Sequence, residues 1–407
     1  MTRTRSLPLA AGIVALEFAA AVSSFVASTL LPLVARDLRA GDRLGLLIAG
    51  STLGLFVALP LASRVLAKLG TRGTLAAGMV AYLGGIAASA TARNAVTFAL
   101  GQLSTGLASG LLAVFGVSSA IRHLDDRLRV KVVAASSAMW ILPALAGPAA
   151  TLGLAHLVGW RWTLLLPVPF VLFGRLLVVR AARDEPETSP RPLGRTLLVP
   201  LGAAGVVLSE GWWPLALAGA VVAGAGMIAI LPEGTARLRR GTPSALAALV
   251  LFAVGYFGAD SLITVLLTTG YGQSLGQAAI VLSAAPLAWA VTSLVTRKHF
   301  PATGLSLTAL GAAVLAIGGP FPVVLAAWTV AGAGVGLAYP ALYVRASTAG
   351  PGGLTATELA TAVITAECVG QLLGRAAGGA LSSAGGLFAS YAVFAVALAA
   401  AAAVSRR

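Results

Sequence analysis

Long apolar runs, separated by short polar breaks, fill almost the whole of this chain. The runs are roughly 15 to 27 residues long, and about 20 apolar residues are what an α-helix needs to cross a bilayer. Hydrophobic residues make up 58% of the 407 positions and charged residues only 10%, whereas about a quarter of the residues in a soluble domain are charged. The composition therefore excludes a soluble globular fold and predicts an all-α membrane protein with many spans.

Fourteen apolar spans can be counted along the sequence. Six precede a polar segment at 183–195, two shorter spans follow it, and six more come after the basic loop at 232–243. The predicted spans cover about residues 9–35, 44–62, 73–91, 95–121, 132–157, 162–181, 196–210, 213–231, 244–268, 275–297, 302–318, 321–346, 356–382 and 386–404. A count of twelve spans would leave residues 196–231 outside the membrane, which their apolar composition disfavours.

The distribution of basic residues predicts the orientation. With the N-terminus inside, 22 of the 28 lysines and arginines fall in inner segments and 5 in outer segments, and Arg375 lies within a span. Because cytoplasmic loops are enriched in Lys and Arg, both termini are predicted to be cytoplasmic, in a multi-pass protein of the cell membrane. The net charge of +15 is spread over short clusters between spans, so a nucleic-acid partner is not expected.

The order of six, two and six spans predicts an internal repeat. We expect an N-terminal six-helix bundle over residues 1–183, a central loop with an inserted helix pair over 184–243, and a C-terminal six-helix bundle over 244–407. Membrane transporters built from such repeats place the substrate site near the bilayer midplane, between the two halves. The same position is therefore predicted for a site here.

Small residues are concentrated in spans 5 and 13, which correspond to each other in this repeat. Gly147, Pro148, Gly374, Gly378 and Gly379 are expected to allow close contact between helices of the two halves. Pro143, together with Gly147 and Pro148, is also expected to break the helix of span 5 within the membrane. These residues are candidates for gating contacts.

The segment GPAATLGLAHLVGWRWTLLLPVP at 147–169 resembles the fifth and sixth helices of the major facilitator superfamily, in whose drug:proton antiporters a Gly-Pro motif and a Gly-Trp-Arg-Trp turn recur. ASTLLPLVARDL, GLASGLLAV and AGAGVGLAYPAL agree with that resemblance. The inserted pair, with SEGWW between its spans, resembles the fourteen-helix drug:proton antiporter family in particular. The resemblance implies a major facilitator fold, two six-helix bundles with two extra helices between them, and secondary transport.

The loop SRVLAKLGTRGTL keeps the basic, glycine-containing run that this superfamily carries between helices 2 and 3. Lys68, Gly70 and Arg72 form that run here, and the resemblance implies a gating role for them. The acid that precedes the run in the family is replaced by Ala67.

Two further positions depart from the family pattern. Gln102 stands where helix 4 often carries an arginine linked to proton transfer, and Ser23 stands where helix 1 carries an acid before its Leu-Pro pair. Both are candidates for the substrate cavity. Coupling to protons, if present, must use other residues.

Three acids lie well inside the predicted spans, away from their ends, where an ionised side chain costs roughly 2.5–3.5 kcal/mol. Glu17 in span 1 is predicted to take up and release protons or to bind a cation; alternatively, it lies near the inner surface and forms local hydrogen bonds. Asp260 in span 9 shares one helix face with Tyr256 and Thr264, one turn away on either side. A carboxylate near the middle of a span has a high cost, which favours a functional role.

Glu367 in span 13 is followed by Gln371 and Arg375 at steps of four, so the three side chains share one helix face. Glu367 and Arg375 can neutralise each other, and breaking such a pair can switch a helix between two packings. Alternatively, the pair is static and fixes the helix register. Glu17, Asp260, Glu367 and Arg375 are the candidates for proton coupling.

Neither a metal, a cofactor nor an enzymatic activity is expected. Cys368 is the single cysteine, and His123, His156 and His299 are far apart and not at metal-ligand spacing. Glu358 follows Thr355 at the spacing of a capping box and is predicted to begin a helix.

The leading hypothesis is a monomeric secondary transporter that exports hydrophobic or amphipathic small molecules by alternating access, in exchange for protons across the lipid bilayer. Trp140, Tyr256, Trp289 and Tyr339 are predicted to line its cavity, together with Gln371. One alternative is uncoupled transport or import of a small metabolite. The other is a scaffold or sensor that descends from a transporter and moves nothing.

Overall fold

A computed structural model of the chain describes residues 3–40, 44–181, 193–209, 211–296, 298–348, 354–384 and 386–407. All regular elements in these ranges are helices. They are α1 (Arg3–Asp37), α2 (Leu44–Ala90), α3 (Ala95–His123), α4 (Asp126–Ala138), α5 (Ile141–Val158), α6 (Trp160–Thr163), α7 (Val168–Ala181), α8 (Leu198–Val207), α9 (Trp213–Ile230), α10 (Thr242–Val265), α11 (Leu275–Val295), α12 (Pro301–Ile317), α13 (Phe321–Ala346), α14 (Ala356–Ala384) and α15 (Leu387–Val404). A 3₁₀ turn at Gly194–Leu197 precedes α8, and a π turn at Leu266–Gly270 extends α10.

The prediction of an all-α membrane protein is confirmed. Within the described ranges, eleven helical segments are long and apolar enough to cross a membrane. Three shorter apolar helical segments accompany them, at Ala149–Val158, Gly194–Val207 and Pro301–Ile317. Because the backbone N–H and C=O groups of a helix bond to each other within the segment, such helices can lie in hydrocarbon without unsatisfied hydrogen-bonding groups.

α2 contains two of the predicted spans and turns sharply between them at Gly70. The backbone of Gly70 has φ 65° and ψ −178°, a conformation that an L side chain rarely adopts. The hydroxyl of Thr74 donates to the Gly70 carbonyl at 2.7 Å, so the next turn of helix forms immediately. The glycine in the predicted gating loop is thus required by the positive φ angle at this position. Lys68 and Arg72 are exposed on either side of it.

The break within span 5 lies at a different place from the one predicted. α4 ends at Ala138, the chain turns at Met139 and Trp140, and α5 then runs without interruption through Pro143, Gly147 and Pro148. Pro143 lies in the first turn of α5, where a backbone N–H has no partner within the helix and its loss costs little. The expectation that these three residues break the helix was therefore wrong.

The glycines predicted to join the two halves instead join helices within each half. A Cβ on Gly147 of α5 would lie 3.2 Å from the Cβ of Phe25 on α1. A Cβ on Gly374 of α14 would collide with the Val254 carbonyl of α10, and one on Gly378 would lie 3.1 Å from Leu262 of α10. The small residues therefore bring α5 onto α1 and α14 onto α10. A Cβ on Gly379 would meet nothing within 4 Å, so the contact predicted for it is not made, and the Pro148 side chain lies outside the described part of the structure.

Helix neighbours correspond between the first and the last parts of the chain. α1 packs on α5 and α7, just as α10 packs on α14 and α15, and α2 packs on α3 as α11 and α12 pack on α13. We refer below to α1–α7 as the N-terminal half and to α10–α15 as the C-terminal half. α8 and α9 form a hairpin that contacts α2 on one side and α14 on the other.

Apolar packing is divided in the same way. One continuous core runs through α8–α15 and reaches Phe56 and Leu111 of the N-terminal half. Two further clusters lie at the two ends of α1, one around Leu9 and one around Leu30. The C-terminal half and the hairpin therefore share a core, while most of the N-terminal half has its own.

Candidate functional site

Two carboxyl groups from opposite halves lie within electrostatic range of each other. Glu17 is on α1 and Glu367 is on α14, and the charge of Glu17 acts on Glu367. Because two carboxylates repel strongly in a medium of low dielectric constant, this arrangement is sensitive to whether one of them carries a proton. The sequence identified both acids, but it did not show that they interact across the two halves.

Each carboxyl group has its own hydrogen-bond donor. The hydroxyl of Tyr339 on α13 donates to Oε1 of Glu367 at 3.0 Å. The side chain of Trp140, at the turn between α4 and α5, donates to Glu17. Tyr343, one helical turn after Tyr339, has a ring centroid 5.5 Å from that of Tyr339 and interacts with the charges of both acids. Residues of α1, α13, α14 and the α4–α5 turn thus converge on one polar site.

Trp140 is partly exposed and packs against α1. Its side chain is 39% exposed, and its ring lies edge-on to Phe25 of α1 at a centroid distance of 6.5 Å. The indole therefore contacts Phe25 of the N-terminal half with its ring and donates its N–H to Glu17.

Aromatic side chains of the C-terminal half pack against this polar site and form a continuous group, which we call the aromatic cluster. Tyr339 contacts Trp289 of α11 at a centroid distance of 5.1 Å and Phe252 of α10 at 5.8 Å. The members of the cluster are Phe252, Tyr256, Phe257, Trp289, Trp328, Tyr339 and Tyr343. Sequence reasoning missed Phe252, Phe257 and Tyr343; the four-residue spacings of Phe252 with Tyr256 and of Tyr339 with Tyr343 were the available signal.

Members of the aromatic cluster differ in how accessible they are. Tyr256 is only 2% exposed and lies stacked between Phe252 and Trp328, with centroid distances of 5.6 Å and 5.5 Å. Trp289 is half-buried and Tyr339 is 8% exposed. The structure therefore places Tyr256 in the packed interior behind the site, whereas Trp289 and Tyr339 lie nearer its surface.

Asp260 lies at a second level of the bundle, separate from Glu17 and Glu367. Arg375, the α14 residue with which it interacts, lies about 12 Å further along that helix than Glu367, at about 1.5 Å per residue. The charge of Asp260 interacts with Arg375 of α14, and it also acts on the hydroxyls of Tyr256 and Tyr391. Oδ1 of Asp260 is buried with no hydrogen-bond partner among the described residues. Such an unpartnered buried atom is costly unless it has a functional use.

The predicted ion pair between Glu367 and Arg375 is not formed. Within the described part of the chain, neither residue belongs to a salt bridge, and Glu367 is hydrogen-bonded to Tyr339. Arg375 is exposed in a hollow of about 250 Å³ that it shares with Ser209 and Trp213 of the hairpin region. Two turns of helix separate the two side chains, with half-buried Gln371 between them, and this distance is too great for a direct pair.

The polar residues at the family's usual coupling positions bond within the N-terminal half. The Ser23 hydroxyl lies 3.2 Å from the hydroxyl of Tyr82 on α2. The Gln102 amide donates to the Ser89 hydroxyl at 3.1 Å, and Gln102 is only 7% exposed. The structure therefore uses Gln102 to join α3 to α2, away from the acids that meet between the halves.

At one end of the bundle, polar contacts join the two halves directly. This is the end where α3 connects to α4, which we call the basic end; the sequence predicts it to be cytoplasmic. The hydroxyls of Ser118 and Thr357 lie 2.9 Å apart, and Arg122 donates to Thr357 at 3.4 Å. Arg129 of α4, which is buried, donates to the Ser347 carbonyl at 3.3 Å. Sequence reasoning did not identify these contacts.

At the opposite end, the Gly-Trp-Arg-Trp turn joins parts of the N-terminal half only. Arg161 forms a salt bridge with Asp37 at 2.7 Å and donates to the Ala92 carbonyl at 3.0 Å. Its guanidinium lies over the Trp160 ring, 4.3 Å from the centroid. The turn begins at Gly159, where φ is 84°. It therefore ties the end of α1 to the turn between α2 and α3.

Comparisons with known proteins agree with this architecture. The sequence model of the Major Facilitator Superfamily matches residues 13–357. The chain is 27% identical over 426 aligned positions to the "Probable multidrug-efflux transporter Rv1634" of Mycobacterium tuberculosis, covering 93% of this chain and 90% of that protein. It is 21% identical over 177 residues to the "Multidrug efflux pump SdrM" of Staphylococcus aureus, covering 44% of this chain and 40% of that one.

Solved structures share the fold at low sequence identity. The human organic anion transporter MFSD10 has a TM-score of 0.74 with 15% identity, covering 98% of both chains. The fucose:proton symporter FucP of E. coli has a TM-score of 0.68 with 17% identity, covering 99% of both chains. Since the family model spans most of the sequence, the chain belongs to the Major Facilitator Superfamily and is a multi-pass membrane transporter by family.

Proposed function

We propose that the protein is a secondary active transporter that exports hydrophobic or amphipathic small molecules in exchange for protons. The observation that carries this proposal is the electrostatic interaction of Glu17 with Glu367, two acids that come from different halves and each accept a hydrogen bond from an aromatic side chain. Similarity to efflux transporters along nearly the full length supports the direction and the kind of substrate.

Protonation of this pair offers a physical means of coupling. When both carboxyl groups are ionised they repel, and this opposes close approach of α1 and α14. One bound proton removes that repulsion and lets the halves approach each other around the site. A proton taken up on one side of the membrane would then be released after the halves have moved, as alternating access requires.

Asp260 would act at the second level. Its unpartnered oxygen and its interaction with Arg375 make its charge dependent on the packing of α10 on α14. A movement of α14 that separates Arg375 from Asp260 leaves a buried carboxylate uncompensated and favours proton uptake there. The two levels together would link helix packing to proton binding.

Aromatic surface beside a carboxylate pair suits amphipathic compounds. Trp140, Trp289 and Tyr339 offer ring faces and edges near Glu17 and Glu367, and such surfaces bind flat apolar groups without demanding one shape. The same arrangement attracts a positively charged group when a carboxyl is ionised. Substrates that carry an aromatic system and a basic nitrogen are therefore the first to test.

The experiment is transport by the purified protein in liposomes with an imposed pH gradient. Fluorescent cationic dyes serve as substrates, and the variant Glu17→Gln/Asp260→Asn/Glu367→Gln is compared with the unaltered chain. We expect the variant to lose uptake driven by the pH gradient while dye still equilibrates down its own gradient. Unchanged pH-driven uptake by the triple variant would refute coupling through these acids.

We also propose the topology that the sequence indicates. The eleven long apolar segments, together with Gly194–Val207, Pro301–Ile317 and α14, make fourteen spans with both termini cytoplasmic. The chain would divide into bundles at 1–183 and 244–407 with the inserted segment at 184–243, and it would work as a monomer in the cell membrane. Labelling of single cysteines from each side of the membrane tests the orientation.

A second candidate is uncoupled transport of a small metabolite. The hydrogen bonds of Ser23 with Tyr82 and of Gln102 with Ser89 favour it, because they show the usual coupling positions used for helix packing. Under this hypothesis, substrate moves in liposomes without any movement of protons. Recording internal pH during substrate uptake separates the two functions.

A further inference from the structure

A hollow of about 540 Å³ lies between α9 and α10, where the chain passes from the inserted hairpin to the C-terminal half. Its walls are apolar, and its rim is the loop at 232–239. The wall residues are Met227, Ile228 and Leu231 from the α9 side and Ala247, Val250 and Leu251 from α10. The substrate site proposed above uses none of these residues.

The hollow opens toward the lipid-facing surface of α9. Leu217, Val221 and Ile228 are 41%, 65% and 64% exposed, and their spacing places them on one face of the helix. In a membrane-spanning helix an exposed apolar face contacts lipid chains. Because Ile228 belongs both to this face and to the hollow, a hydrocarbon chain can pass from the bilayer into the hollow.

The loop on the rim has a defined fold. Leu238 has φ 52°, an unusual and costly conformation for a leucine, and its side chain packs against the apolar core. The N–H of Arg239 donates to the Gly234 carbonyl at 3.1 Å, and the Thr235 hydroxyl donates to the Pro232 carbonyl at 2.7 Å. This folding turns Leu238, which is half-buried, toward the core and leaves the residues on either side of it, Arg237 and Arg239, exposed on the rim.

The rim carries a net positive charge at the basic end of the bundle. Arg237 and Arg239 line the hollow together with one acid, Glu233, and Arg240 follows directly in the chain. Within the described residues, neither rim arginine takes part in a salt bridge. Thr242, just beyond the loop, donates to the Thr348 carbonyl at 2.6 Å, which fixes the loop at the end predicted to face the cytoplasm. The cytoplasmic leaflet is the one that carries anionic lipids.

We propose that this hollow binds an anionic phospholipid, with its phosphate on Arg237 and Arg239 and one acyl chain between α9 and α10. The apolar walls require a hydrocarbon chain, and the two guanidinium groups at its mouth require an anion. A phospholipid of the adjacent leaflet supplies both in one molecule. The lipid would hold the inserted hairpin against the C-terminal half at a place where α9 and α10 are linked by the loop.

Binding can be measured on the full-length protein, purified in detergent and stripped of lipid. Native mass spectrometry counts the bound molecules during titration with phosphatidylglycerol, phosphatidylcholine or phosphatidylethanolamine of equal chain length. We expect phosphatidylglycerol to bind at least tenfold more tightly than phosphatidylcholine. In Arg237→Gln/Arg239→Gln the affinity for phosphatidylglycerol should fall roughly fivefold for each arginine removed.

Three controls separate this site from general attraction of lipid to a basic protein. Arg240→Gln removes the same charge from the same loop but not from the rim, and we expect it to keep the preference for phosphatidylglycerol. Ile228→Ser alters the lipid-facing wall and should weaken the binding of all three lipids alike. Glycerol phosphate, which has the anion without the chain, should not compete at concentrations that saturate the lipid.

Three results would overturn the proposal. Equal loss of the preference in Arg240→Gln and in the double variant would mean that only diffuse charge attracts the lipid. Competition by glycerol phosphate, or equal binding of phosphatidylethanolamine, would mean that the site does not select an anionic phospholipid. Thermal unfolding in phosphatidylcholine shows whether each variant is folded. Because the substituted residues are exposed, the unfolding temperature should not change.

Discussion

Glu17 of α1 and Glu367 of α14 interact through their charges across the boundary between the two halves of the chain. Among the described residues neither acid belongs to a salt bridge; Trp140, in the turn between α4 and α5, donates a hydrogen bond to Glu17, and Tyr339 of α13 donates one to Glu367. Proton binding by one acid therefore changes the energy of the other and of the contact between the halves.

Glu17→Gln and Glu367→Gln should have effects that are not additive. If the two acids share one proton, the loss of either removes most of the coupling. The double variant should then have no lower pH-driven dye uptake than the more impaired of the two single variants. Each single change should lower pH-driven dye uptake in liposomes at least tenfold, with a coupling energy of about 0.5–3 kcal/mol between them. Glu233→Gln, an exposed acid of a loop, is the control. Effects that multiply would show that the acids act independently.

Tyr339→Phe should impair coupled transport more than Tyr343→Phe. The Tyr339 hydroxyl donates to Glu367 at 3.0 Å, and a hydrogen bond to a charged group is worth about 1.5–3 kcal/mol. The first change should therefore lower the coupled rate roughly 10- to 100-fold, while dye binding, which depends on the ring, persists. Tyr343→Phe keeps that hydrogen bond and should retain most activity. Similar loss in both variants would contradict a specific role for Tyr339.

Arg129→Ala should open the basic end. Arg129 donates to the Ser347 carbonyl of the other half and is itself buried, so its loss removes a contact that joins the halves. In a Cys368→Ala background, a cysteine at Thr361, which is 9% exposed, should react with a water-soluble maleimide about tenfold faster. Arg127→Ala, an exposed neighbour on the same helix, should leave the rate unchanged. Equal rates in all three proteins would show that Arg129 does not hold this end closed.

Arg161→Ala should reduce stability, and Arg161→Lys should not restore it. The Asp37 salt bridge is partly solvated and contributes little alone, but the same guanidinium also bonds the Ala92 carbonyl and stacks on Trp160. A lysine cannot make all three contacts at once. We expect a loss of about 1–2 kcal/mol in the free energy of unfolding in detergent. Arg93→Ala, exposed nearby, should have no effect; rescue by lysine would mean that only the charge matters.

The sequence predicted the helical membrane fold because apolar length and charge spacing are local properties. It also identified Glu17, Asp260 and Glu367, because a charge in an apolar run is visible without coordinates. It could not show that the charge of Glu17 acts on Glu367, since the two residues lie on different halves and only the packing of the halves brings them into range. The predicted pair of Glu367 with Arg375 failed for a related reason: residues eight apart share a helix face but lie too far apart to touch.

Gly374→Ala and Gly379→Ala should differ sharply although both lie on α14. A Cβ on Gly374 would collide with the Val254 carbonyl and lie 3.0 Å from the Gly258 nitrogen, whereas one on Gly379 meets nothing within 4 Å. Backbone atoms cannot move aside as a side chain can, so Gly374→Ala should force α14 away from α10 and cost about 1–3 kcal/mol.

Because Asp260 and Arg375 depend on the packing of α10 on α14, Gly374→Ala should also reduce pH-driven transport. Gly379→Ala should leave transport intact and can raise stability by up to about 1 kcal/mol, since alanine favours a helix over glycine. Thermal unfolding in detergent and dye uptake in liposomes measure the two effects on the same preparations. If Gly374→Ala transports normally while its stability falls, then close contact of α14 with α10 serves the fold and not the movement.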